Sequence, residues 1–123
     1  MIGLKEVEAI HEILIERFGG TKGIRDPGAL ESAINRPYQT FDSVDLYPQP
    51  EDKAAAIFES LISNHPFIDG NKRTAYVMMR LTLRLHGKDI TADEQDKYDF
   101  VIKSAEGKLT MDEIRNWITL RIR

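Results

Sequence analysis

The stretch Pro50–Gly87, PEDKAAAIFESLISNHPFIDGNKRTAYVMMRLTLRLHG, holds two helical patterns separated by a short, chemically crowded break. Pro50 suits a first helical turn, and Ala54, Ile57, Phe58, Leu61 and Ile62 recur at a spacing that places them on one helix face. That helix should stop before His65-Pro66, because the residue preceding a proline is pushed out of α geometry. After Asn71, Ala75, Tyr76, Val77, Met78, Met79, Leu81, Leu83 and Leu85 make a segment that is apolar nearly all round. A helix of that kind normally lies at the centre of a bundle. The alternating LTLRL alone would also suit a strand, but the apolar run before it is too long and Gly87 sits where a helix stops.

Outward from this pair the punctuation is also helical. Leu4, Val7, Ile10, Leu14 and Phe18 mark a first helix over roughly residues 4 to 18, ended by Gly19-Gly20. Asp26-Pro27 is a capped helix start whose buried side is Leu30, Ala33 and Ile34. The stretch RPYQTFDSVDLYPQP, residues 36 to 50, lacks a helical stripe and reads as an exposed loop. Two capping boxes, Thr91 with Glu94 and Thr110 with Glu113, predict two last helices carrying Tyr98, Phe100 and Val101, then Ile114, Trp117 and Ile118. The expectation is an all-α bundle of about six helices in a single domain over residues 1–123, with the break between its two central helices.

Composition narrows the function classes. At 123 residues, 41% hydrophobic and 30% charged, the chain is long enough to bury one core of its own. With no cysteine it has no disulfide framework and no thiolate nucleophile or metal ligand. Its first residues lack a basic region followed by an apolar run, and no uncharged stretch is long enough for a bilayer, so a cytoplasmic protein is expected. The net charge of −3 argues against direct nucleic-acid binding. Charge is nonetheless uneven: Lys72, Arg73, Arg80, Arg84 and Lys88 form an acid-free run before the acidic segment from Asp89 to Asp99. For Arg80, Arg84 and Lys88 a solvated helix face serves as well as a binding role.

Within the break, the residue types point to a phosphorylated ligand. A helix N-terminus presents unpaired N–H groups and a positive dipole end, which bind phosphate. Gly70 leaves room for an incoming oxygen and tolerates positive φ, so DGNKR reads as an anion cradle. Lys72 and Arg73 add cations where the helix dipole disfavours them unless an anion binds; the alternative is that both run out into solvent. Asp69 is either a hard oxygen ligand for Mg²⁺ shared with substrate phosphates or a helix cap. His65 is the nearby residue type suited to taking a proton near neutrality. His11 and His86 have no such neighbours and read as structural, while Phe67 reads as the apolar anchor of the loop.

HPFIDGNKR, His65–Arg73, resembles the signature of the Fic/Doc (death-on-curing) superfamily, His-Pro-Phe-x-Asp/Glu-Gly-Asn-Gly/Lys-Arg, at every specified position. GGTKGIRDPGALESAINRPYQTF, Gly19–Phe41, and DLYP, Asp45–Pro48, are similar to Doc-type toxins of bacterial toxin–antitoxin modules, so the resemblance covers most of the chain. It implies the all-α Fic fold. It also implies a catalytic set of His65, Asp69, Lys72 and Arg73: His65 as general base toward a target hydroxyl, Asp69 holding Mg²⁺, and Arg73 pairing with a phosphate of ATP. Gly70, Asn71, Lys72 and Arg73 are then the nucleotide-binding residues, and the loop from Tyr38 to Tyr47 is where the family positions its target.

Two departures from the larger Fic branch bear on the reaction. Lys72 stands where the nucleotidyl-transfer pattern has glycine, and Tyr76 where it has a second arginine. Both match the Doc branch, which implies a reversed nucleotide, transfer of the γ-phosphoryl group, and a threonine of elongation factor Tu as acceptor, halting translation. Transfer of AMP, the Fic reaction, and a non-catalytic binding module are the alternatives. The inhibitory pattern Ser/Thr-x-x-x-Glu-Gly/Asn is absent, since Ile102 lies four before Glu106-Gly107. Restraint would then come from another chain, a cognate antitoxin.

Overall fold

The structure, a computed structural model, describes residues 2–123. Six α-helices appear among them: α1 (Leu4–Phe18), α2 (Pro27–Asn35), α3 (Pro50–Asn64), α4 (Asn71–Arg84), α5 (Glu94–Ala105) and α6 (Met111–Thr119). A short 3₁₀ turn (Arg36–Tyr38) and a two-stranded hairpin, β1 (Thr40–Phe41) and β2 (Val44–Asp45), lie between α2 and α3. The expected all-α class therefore holds, with this hairpin as its one small sheet.

α3 and α4 are the centre. Ala54, Ala55, Phe58, Leu61 and Ile62 on α3 meet Ala75, Met78, Met79 and Leu83 on α4 in one fully buried cluster, joined by Leu30 of α2 and Val7 of α1. The LTLRL segment is helical, as the long apolar run requires. α5 and α6 are attached by a stack of rings: Phe58 on Phe100 at 4.9 Å between centroids, then Phe100 on Trp117 at 3.8 Å. Burial of such rings is the largest single contribution each makes to stability.

Two expectations need correction. The Thr110–Glu113 capping box forms, but the Thr91–Glu94 box does not. Thr91 is drawn into extended pairing, its N–H donating to Arg121 O at 3.0 Å beside the Ile90–Ile122 bridge, and Asp93 caps α5 instead through Asp96 N at 2.8 Å. An unexpected box, Gln49 with Asp52, starts α3. The stretch read as a loop is pinned at its base: Arg36 donates to the Tyr47 hydroxyl at 3.0 Å, and the nearly buried Lys53 ammonium donates to Tyr47 O.

Two of the cations on α4, Arg80 and Arg84, share one carboxylate. Arg80 grips Asp89 with two hydrogen bonds, at 3.0 and 2.8 Å, and Arg84 Nε lies 3.3 Å from the same carboxylate. Arg80 holds the Asp89 carboxyl down at about 2. His86 Nδ1 donates within its own turn, to Thr82 O at 3.1 Å, in line with a structural role. No helix is long and apolar enough to cross a membrane among the described residues.

Candidate active site

The loop between α3 and α4 is built from the inside out. Phe67 is 1% exposed and stacks on the buried ring of His11, centroids 3.8 Å apart. The Asn71 side chain closes the loop on itself, its Oδ1 accepting from Phe67 N and its Nδ2 donating to Phe67 O, both at 2.9 Å. The amide of Asn71 is thereby committed to the loop. What it offers an anion is its backbone N–H.

His11 Nε2 lies 2.8 Å from the Asp69 carbonyl. Because a carbonyl only accepts, Nε2 carries the proton. The structural reading of His11 is right in kind, yet its structural task is to hold the site loop. This was missed because α1 and the loop are brought together only by the fold.

A strap from Gly20 to Asp26 runs along the loop's other side. Thr21 N donates to Asp69 Oδ2 at 3.1 Å, Ile68 N donates to Gly23 O at 3.0 Å, and Ile24 pairs with Phe67 as an isolated bridge. Arg25 N and Asp26 N both donate to Pro66 O. Gly20 has φ +121°, and a Cβ there would stand 2.7 Å from Asp69 Oδ2, so both the backbone and the close approach require glycine.

Asp69 is exposed, with each oxygen held by one backbone N–H: Oδ2 by Thr21, Oδ1 by Gly70 at 2.9 Å. The Thr21 N–H, followed by that of Gly70, holds its carboxyl below the usual range; the charges of His11 and Lys72 act in the same direction. It does not cap α4 by the usual route, since Gly70 occupies the cap position in left-handed geometry at φ 74°. Each oxygen keeps lone pairs for a cation. No cluster of three or more metal-binding side chains exists among the described residues. The donor set thus fits Mg²⁺ held by one carboxylate and the ligand's own phosphates.

At the N-terminus of α4 the first backbone acceptance is Thr74 N to Gly70 O at 3.0 Å, so the N–H groups of Asn71, Lys72 and Arg73 point outward without intrahelical partners. Lys72 and Arg73 are exposed beside them, and the Arg73 guanidinium lies 4.2 Å over the Phe18 ring. An open groove of ≈ 450 Å³ continues from there, lined by Phe18, Lys72, Arg73, Tyr76, Val77 and Tyr98 among others. Tyr76 is 8% exposed, and burial raises its phenol above the ordinary range.

His65 stands at the opposite end of the loop as the C-cap of α3, with φ 47° and ψ 59°. A left-handed histidine costs on the order of 1 kcal/mol. Arg25 offsets it by donating from Nε to His65 O at 2.7 Å and from Nη2 to Asn64 O at 2.6 Å. The imidazole itself is exposed. One loop therefore carries an exposed imidazole at one end and, at the other, a helix N-terminus with outward N–H groups, an ionised carboxylate and two cations.

The Fic/DOC family model matches residues 2–83. Toxin Doc of Mycolicibacterium smegmatis is 46% identical over 76 residues, which are 62% of this chain and 58% of the relative, so the chain spans less than two thirds of that protein's length. Protein kinase doc of Escherichia phage P1 is 30% identical over 123 residues, 98% of this chain and 92% of the relative.

Proposed function

The chain belongs to the Fic/DOC family, and from that premise we propose that it transfers the γ-phosphoryl group of ATP to a hydroxyl of a target protein. The observation that carries this reading is the cradle at the start of α4: three outward N–H groups flanked by Lys72, Arg73 and an ionised Asp69, on the same short loop as His65. The bound nucleotide lays its phosphates on Gly70–Arg73 and its nucleoside toward the groove beside Phe18 and Tyr98. The acceptor oxygen bonds to the γ-phosphorus as the bond to the bridging oxygen breaks. His65 takes the hydroxyl proton, and ADP leaves with the bond electrons. Mg²⁺, when held by Asp69 and the phosphates, supplies neutralisation of charge on the leaving oxygens. The rest is positioning, which suits phosphoryl transfer.

Lys72 and Tyr76 support γ transfer over AMP transfer, because both depart from the pattern associated with the latter and Tyr76 fills its site as a buried apolar ring. The relative in phage P1 is named a protein kinase and the mycobacterial one a toxin. By extension, this chain is a toxin whose target is a threonine of elongation factor Tu in the cytoplasm, restrained by a cognate antitoxin. The exposed hairpin at Thr40–Asp45 is where the target strand docks.

The test is transfer of label from α- and γ-labelled ATP, with Mg²⁺, to a bacterial lysate, with His65→Ala as control. Label from the γ position alone, lost in the variant, is the expected result. Label from the α position would establish AMP transfer, which the shared motif favours; label from neither would leave a binding module.

A further inference from the structure

We infer that Arg25 is a positioning residue for His65, an inference that rests on His65 acting as the base. Bases in active sites are usually oriented by a third group bonded to the ring. Here the ring hydrogen bonds among the described residues belong to His11 and His86, not to His65. With no ring hydrogen bond among the described residues, the backbone from which the side chain springs takes a larger part in setting the direction of its imidazole.

That backbone is in an uncommon conformation that the helix end cannot hold by itself. A left-handed C-terminus normally takes N–H donors from the next residues to satisfy the last carbonyls of the helix. The next residue is Pro66, which has no N–H. Arg25 holds the chain beyond the last turn instead: its guanidinium fork reaches Asn64 O at 2.6 Å and His65 O at 2.7 Å, and its own N–H reaches Pro66 O at 2.7 Å. One residue grips three successive carbonyls around the base. The fork also places a full positive charge at the negative end of the α3 dipole. A lysine has one donor head and cannot span two carbonyls in a fixed plane.

The experiment compares wild type with Arg25→Ala and Arg25→Lys in the γ-label assay, alongside the His65 ring resonances by NMR. Expected for Arg25→Ala is a fall in kcat of about tenfold or more with KM for ATP within about twofold, since the cradle is untouched. Arg25→Lys should fall less. Methylguanidine should restore part of kcat to Arg25→Ala and none to His65→Ala, a rescue that a general loss of folding would not show. The His65 resonance should move while that of His86 stays. An unchanged kcat, or a fall that tracks lost folded protein without rescue, overturns the inference; if Arg25→Ala does not fold, Arg25→Lys decides on the same criteria. Should wild type transfer no label, the reading of the reaction fails on its own. The resonance then decides the positioning: a shifted His65 signal supports it, an unshifted one overturns it.

Discussion

The α3–α4 loop and the β1–β2 hairpin both hold non-glycine residues in left-handed backbone, and they hold them by opposite means. His65, at φ 47°, is braced from outside by Arg25 and by the Phe67 anchor below. Asp42 and Ser43, at φ 51° and 66°, form a two-residue turn whose twist matches its own strands. Nothing comparable packs on the hairpin: Phe41 is 70% and Val44 67% exposed. The α3–α4 loop is tied to α1 through His11 and to the Gly20–Asp26 strap, whereas the hairpin is tied only at its base.

Substitutions can break this contrast. The largest effect should come from Phe67→Ala, which removes a fully buried ring stacked on His11 and should cost about 3–5 kcal/mol in thermal or denaturant unfolding. Phe41→Ala should change stability by less than about 0.5 kcal/mol while reducing transfer to a protein target. Equal losses of stability would erase the distinction between the two loops.

Gly20→Ala comes next. The added Cβ meets Asp69 Oδ2 in a backbone conformation that an L side chain rarely adopts, so about 1–3 kcal/mol should be lost. Mg²⁺-dependent nucleotide binding, measured by calorimetry, should weaken with it. Asp89→Asn, away from both loops, should cost on the order of 1–2 kcal/mol by loosening Arg80. Because the folded Asp89 carboxyl is depressed from 3.8 to about 2, its contribution is present above pH 3.8 and fades as pH falls toward 2. The wild type should therefore lose more stability than Asp89→Asn across that window. A gain of under about 1 kcal/mol is expected for Asp42→Asn with Ser43→Gly, residues preferred in such turns.

The helices were legible because their signals are local. Asp26-Pro27, Thr110 with Glu113 and the stripe from Ala54 to Ile62 each lie within a few turns, and the structure repeats them. Thr91 misled because a capping box and an extended bridge compete for the same residue, and Arg121, thirty positions on, decided it. The hairpin was illegible since strands of two residues carry no alternation and Asp-Ser is a weak turn signal. The motif announced an exposed histidine and a helix start flanked by Asp69, Lys72 and Arg73. Its supports did not appear, because His11, Thr21 and Arg25 reach it across 58, 48 and 40 positions, largely through main-chain atoms. The one available hint was the glycine spacing of Gly20 and Gly23, since glycines at positive φ mark places where backbone comes close.

The most direct test of the central claim is the intact mass of purified elongation factor Tu after incubation with this chain, ATP and Mg²⁺. An added phosphoryl group, absent with His65→Ala, is the predicted result. An added adenylyl group, or an unchanged mass with wild type, would contradict it.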